Sequence, residues 1–236
     1  MWESLQERND GNVQQQQQPL PRYLQLLALV AFHAFIREGV EAAVFETHHG
    51  GEYDATNVIE NPVATVITPL GMDHAQQLGP TIENIAWHKS GIFKQGAQAF
   101  SAVQDEAPSA ILRTRAAEKE VGIEFIGDDP TLPRDAPKLK PDIQRMNCSL
   151  ALAAARCIVE KKAAVGLGPI LPTDVEKGIE LFSWPGRFQI LSEVACQWFL
   201  DGAHNEMSVA KTAEWFIEMT RRYVLHIGQT YFSATF

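Results

Sequence analysis

The sequence predicts an α/β fold built around a mainly parallel sheet. Short apolar or β-branched runs alternate with segments of helical periodicity. Polar residues collect at the C-terminal ends of those runs, where open α/β sheets place their ligands. No repeat of 20–50 residues offers a solenoid instead. The 236 residues suit one large domain or two small ones, and 45% hydrophobic with 21% charged residues is ordinary for a globular chain.

Residues 1–20 make a poor start to a fold. Gln14 to Gln18 is a glutamine run closed by Pro19 and Pro21, with nothing to bury, so the segment reads as low-complexity and disordered. From Arg22 the pattern becomes helical: Leu24, Leu27, Ala28, Ala31 and Phe35 share a face and Gly39 supplies the stop. The run Ala42–Phe45, ending in Glu46, reads as a buried strand. Val63–Ile67 reads as a second, leading into Pro69, Gly71, Asp73 and His74. Thr81 caps a helix to Lys89, with Glu83 in its positive first turn. Strand Ala97–Val103, helix Pro108–Glu120 and strand Gly122–Ile126 follow. A Pro/Asp-rich loop, Asp128–Pro141, leads to a helix over Asp142–Lys161 and a shorter one over Asp174–Leu181. After Ser183-Trp184-Pro185-Gly186-Arg187 come strands Phe188–Leu191 and Gln197–Leu200. Asn205 then caps a helix with an apolar face of Val209, Ala213, Phe216 and Ile217, and Tyr223–Ile227 is a last strand.

Composition excludes several classes. The net charge is -9 and no five-residue basic cluster occurs, which argues against nucleic acid or an anionic membrane as partner. Cys148, Cys157 and Cys196 cannot pair fully and lack CxxC spacing, which fits a reducing compartment and no zinc site. The most apolar stretch, Leu24–Ile36, is too short to span a bilayer, and the first ten residues lack a signal-peptide core. These features predict a cytoplasmic protein.

Three strand ends carry the candidate chemistry. In Glu46-Thr47-His48-His49-Gly50-Gly51-Glu52-Tyr53-Asp54, a strand end holding a carboxylate suits Mg²⁺, although a solvated Glu46 explains the same pattern. Neighbouring His48 and His49 point opposite ways on an extended chain and make a poor shared metal site. Leu70-Gly71-Met72-Asp73-His74 ends the second strand, where His74 would be an unusual ligand for a cation that prefers oxygen. Leu200-Asp201-Gly202-Ala203-His204-Asn205 stands between a strand and a helix, whose free N–H groups suit phosphate. Lys89 shares a helical face with Ile82, Ile85 and Ala86. A snorkelling side chain and a chemically used amine are both consistent with that position. Neither G-x-x-x-x-G-K-[ST] nor G-x-G-x-x-G occurs.

Taken together and in order, these segments resemble the eukaryotic folylpolyglutamate synthases, members of the Mur-ligase-like amide ligases. The likeness runs from about Pro21 to Phe216. It rests on Tyr53-Asp54-Ala55-Thr56-Asn57, Leu70–His74 with Leu78-Gly79-Pro80-Thr81, Ile85–Lys94, Asn147 with Ser149-Leu150-Ala151, Trp184–Arg187 and Leu200–Asn205. The resemblance implies ATP-dependent ligation of L-glutamate to the γ-carboxyl of a folate through an acyl phosphate. It implies Mg²⁺ at Glu46 and His74, and an N-carboxylated Lys89 holding a second cation, a monovalent ion included. It implies nucleotide contacts from Asn147 and Arg187. Asp201 and His204 would sit at an interdomain loop that binds nucleotide and positions glutamate. ATP, folate and L-glutamate are then the small-molecule partners of a monomer, and the family also includes mitochondrial forms.

The implied organisation is a P-loop-type central domain over 21–184, lacking its first strand–P-loop–helix unit, and the beginning of a Rossmann-like C-terminal domain over 185–236. On this reading the chain is truncated at both ends. It binds ATP weakly alone, is partly molten and exposes Leu24, Leu27, Phe35, Val209, Phe216 and Ile217. Glu46, His74 and Lys89 are expected to converge on one cleft. A dihydrofolate synthase, a non-catalytic paralogue that acts by binding, and a metal hydrolase using Asp73, His74 and His48 are the alternatives.

Overall fold

The computed structural model describes residues 20–161 and 168–221. Helix α1, Tyr23–Glu38, ends where Gly39 takes a left-handed conformation at φ 64°. Phe32 and Phe35 of this helix pack on Phe45, with ring centroids 4.7 and 5.4 Å away.

Three strands, β1 (Ala64–Ile67), β2 (Gln98–Ala102) and β3 (Ile123–Ile126), form a parallel sheet in that order. Ala64 stands opposite Gln98, and Ala99 opposite Ile123. Short helix α2 (Ala75–Leu78), α3 (Ile82–Lys89) and α4 (Glu106–Glu118) connect the strands, as parallel pairing requires. Alternation along β2 divides the core between two faces. Ala99 joins Ile67, Ala86, Phe93 and Leu112 beneath α3 and α4. Phe100 and Ala102 join Leu150 and Cys157 of α5 (Asp142–Lys161) on the opposite face. The far side of α5 contributes Leu152 to a third cluster with Leu132, Leu139, and Val175 and Ile179 of α6 (Pro172–Leu181).

The second sheet is an antiparallel pair, β4 (Gln189–Ser192) and β5 (Gln197–Leu200), followed by α7 (Glu206–Thr220). Here aromatic geometry overrides the expected helix face. The hairpin presents Phe188 and Phe199, and Trp215 fits between them at 5.3 and 5.5 Å. Trp215 is therefore the buried aromatic residue of α7, while Val209 and Ile217 remain exposed.

The strand expected over Ala42–Phe45 is irregular chain. No neighbour hydrogen-bonds to it as a ladder among the described residues; Val44 is 88% exposed, and Phe45 turns back on α1 instead. Of the other apolar residues expected to lose cover, Leu27 is exposed, whereas Leu24, Phe35 and Phe216 are half-buried. The strand expected over Tyr223–Ile227, and nearly all of segment 1–20, lie outside the described residues.

Candidate active site

Lys89 is the last residue of α3, one turn beyond the fully buried Ile85 and Ala86. That face carries the Lys89 amine inward. Burial pushes it below the usual lysine range, and the carboxylates of Asp73 and Glu46 pull it part of the way back. The 46 and 73 loops thus both bring negative charge to the helix end.

His74 takes the left-handed conformation at φ 52° and precedes α2. Its ring meets His49 edge-on at 4.8 Å, and its backbone N–H donates to Asp73 Oδ1 at 2.8 Å. Asp73 is the residue that sequence reasoning undervalued. Its Oδ2 accepts from Asn205 Nδ2 at 3.3 Å and lies 3.9 Å from His204 Nε2 and from His74 Nε2. A contact spanning 132 positions leaves no local trace in the sequence.

The 201–205 loop is held from within. Asp201 Oδ2 accepts the Phe188 N–H at 2.8 Å, and Oδ1 accepts the Ala203 N–H and the Thr212 hydroxyl, each at 2.9 Å. Asn205 caps α7 by accepting the Ser208 N–H at 2.9 Å. Arg187 lies over the Trp184 ring at 5.8 Å and packs on Gly202, where an added Cβ would stand 2.5 Å from Nη1. The Asp201 carboxylate therefore already has three donors. Asp201→Ala should destabilise the second sheet and α7 by about 2–3 kcal/mol, because charge-assisted hydrogen bonds are lost while their donors stay behind. Denaturant unfolding followed by tryptophan fluorescence measures this; an unshifted midpoint contradicts it.

The loop before α3 is pinned as firmly. Asp54 Oδ2 accepts the N–H groups of His48 and His49 at 2.9 and 3.0 Å, and Oδ1 accepts the Thr56 N–H and hydroxyl at 2.9 and 2.7 Å. Burial by itself would raise the Asp54 carboxyl, but these donors outweigh it and hold the carboxyl below its ordinary value of 3.8. A depressed carboxylate contributes stability above its unfolded pKa and loses it as pH falls through the folded value. The protection of amides 47–56, taken relative to their intrinsic exchange rates, should therefore fall on acidification between about pH 5 and 2, and Asp54→Asn should remove most of that dependence. Equal acid sensitivity in both proteins would refute the assignment.

Asn147 stands on α5, and its Oδ1 is buried with no hydrogen-bond partner, an acceptor left over for a ligand donor. Among the described residues, no group of three or more His, Cys, Asp or Glu is arranged to hold a metal. The charged set at the helix end is instead two carboxylates facing a lysine, with His74 beside one of them.

The fold and this arrangement define an α/β protein whose parallel-sheet strand ends meet the capped helix of a second, smaller sheet. No family model matches the chain. It is 39% identical over 203 residues to folylpolyglutamate synthase of Neurospora crassa, an alignment covering 84% of this chain and 38% of that protein. Against the mitochondrial folylpolyglutamate synthase of Homo sapiens the figures are 36% over 238 residues, 92% and 40%. A solved FPGS–AMPPCP complex superposes with a TM-score of 0.76 at 25% identity, over 94% of this chain and 56% of that one. The chain belongs to the folylpolyglutamate synthase family. It spans about two fifths of the length of the curated relatives it matches.

Proposed function

We propose that the chain supplies the sheet-end and interdomain part of a site that ligates L-glutamate to the γ-carboxyl of a folate at the expense of ATP. The observation that carries this reading is the half-buried Lys89 at the end of α3, close enough to Glu46 and Asp73 to feel both charges, with Asp73 also contacting Asn205 of the second sheet's helix. The reaction transfers the γ-phosphoryl group of ATP to the folate carboxylate, releasing ADP. The glutamate amine then attacks the acyl phosphate, the amide bond forms and phosphate departs.

Residues of this chain divide the work. Asp73 joins the two halves of the site. Asn147 Oδ1 offers a buried acceptor for a nucleotide amine, and Arg187 places a cation beside the 201–205 loop. Asp201 orients that loop, and its contacts support a positioning part more than direct contact with glutamate. His204 is exposed, with Nδ1 3.0 Å from the Gly202 carbonyl, and faces Asp73.

Two carboxylates and little else suit magnesium, which keeps several waters, so Glu46 and Asp73 with His74 nearby would hold it. When bound, the cation neutralises phosphate charge. A lysine ammonium opposes a cation there. A lowered amine loses its proton more readily, and the neutral amine adds CO₂ to give a carbamate anion and a proton, which reverses the sign of the site. The three free cysteines suit a cytoplasmic setting. No helix among the described residues is long and apolar enough to cross a membrane.

The test is a segment exchange. Residues 21–221 replace the matching stretch of the Neurospora crassa enzyme, and ATP-dependent incorporation of labelled L-glutamate into tetrahydrofolate is measured. Incorporation is expected. A chimera that folds and binds AMPPCP but adds no glutamate would overturn the proposal.

A further inference from the structure

The loop after Glu46 and the C-terminal end of α3 are joined backbone to backbone. The Glu52 N–H donates to the His88 carbonyl at 2.8 Å. Asn57 Nδ2 donates to the carbonyls of Glu52 and Gly91, at 3.1 and 3.2 Å. Lys94 Nζ closes the ring on the Asn57 carbonyl at 3.1 Å. The contact is tight enough that a Cβ on Gly51 would stand 2.7 Å from the Lys89 carbonyl oxygen.

A side-chain clamp from α4 lies over this seam. Arg115 Nη2 donates to Glu52 Oε2 at 2.6 Å, and Lys119 Nζ approaches the same oxygen at 3.4 Å while donating to the Gly91 carbonyl at 2.9 Å. The pair is well shielded: the Arg115 and Glu52 side chains are 11% and 26% exposed. The Arg115 guanidinium also lies 4.5 Å above the Trp87 ring on α3. Glu52 thus ties three segments together: from the 46–57 loop its N–H bonds the end of α3 and its carboxylate bonds the C-terminal end of α4.

We propose that Glu52, gripped by Arg115 and Lys119, is a positioning residue that locks the loop carrying Glu46 onto the helix end carrying Lys89. The proposal rests on the reading that Glu46 and Lys89 belong to one site. Glu52 acts through its neighbours: its backbone holds the His88–Gly91 turn, and its carboxylate keeps that backbone seated against α4. Without the clamp, the seam opens locally while the parallel sheet, held by its own ladder, stays closed.

The test uses the whole 236-residue chain in CO₂-free buffer. Hydrogen exchange is followed by mass spectrometry, and Lys89 is labelled with acetic anhydride. In Glu52→Gln, exchange across 50–57 and 88–92 and the rate of Lys89 labelling should each rise about tenfold, while β2 exchanges at the wild-type rate. Lys119→Gln, which leaves the Arg115 bond in place, should show a smaller rise of about threefold and decides the matter if the first variant does not fold. Glu83→Gln makes the same charge change at the other end of α3 and should leave Lys89 labelling unchanged. Unaltered labelling and seam exchange in the Glu52 and Lys119 variants would overturn the proposal. So would an equal acceleration in β2, since that outcome marks a general loss of stability. A failure of the glutamate-ligation reading leaves these readouts untouched, because neither depends on ATP, metal or folate.

Discussion

Gly91→Ala should cost the protein about 4 kcal/mol or more, enough to unfold much of it at room temperature. The turn Ser90–Ile92 brings Gly91 against the 51–52 backbone, and a Cβ built there lies 2.2 Å from Glu52 Cα and 2.3 Å from Glu52 N. Both obstructing atoms are main chain, so rotamer change gives no relief. Either the loop withdraws, losing the Glu52–His88 and Asn57 bonds, or α3 shifts and disturbs the core around Ala86 and Phe93. Gly178→Ala is the matched control. It stands in α6 with nothing within 4 Å of its added Cβ, and should stabilise by about 0.8 kcal/mol through helix propensity. Urea unfolding of the two variants should shift midpoints in opposite directions. A wild-type midpoint for Gly91→Ala would mean that the seam is not closed.

Lys89→Met in the exchanged enzyme should lower glutamate incorporation by about a thousandfold, the scale seen when a group that organises charge at a reacting centre is removed. Methionine approximates the length and volume of the lysine stem, so the packing beside Ile85 and Ala86 is retained. What disappears is the amine between Glu46 and Asp73, and with it any carbamate. Glu46 and Asp73 then remain at the helix end without the group proposed to complete the charge of the site. The fall should lie in kcat, with AMPPCP affinity reduced much less, because the nucleotide contacts proposed for Asn147 and Arg187 lie on other elements. Activity within tenfold of the unmodified chimera would remove Lys89 from the proposed chemistry.

The local elements were legible from the sequence for local reasons. Thr81 before Ile82 and Asn205 before Glu206 each accept an N–H of the first helical turn, and Gly39 ends α1 in a left-handed residue. Such signals act within four residues, as does the i, i+3, i+4 spacing that turned Lys89 inward beside Ile85 and Ala86. The β-branched run ending at Ile67 and the run ending at Ala102 became parallel neighbours because intervening helices supplied the crossover.

Tertiary structure decided what depends on a partner. Ala42–Phe45 has the composition of a strand, but a strand exists only where another chain segment offers its N–H and C=O groups, and Phe45 found the rings of α1 instead. On α7, periodicity marks out a broad apolar stripe, but only the placement of Phe188 and Phe199 selects Trp215 to be buried and leaves Ile217 outside. The role of Asp73 is invisible beside His74 in the chain and becomes evident only when Asn205 arrives from 132 positions away. Glu52 is the same case: its ion partner lies 63 positions on, and charge pairing at that separation follows from packing α4 against α3, not from any spacing a sequence displays.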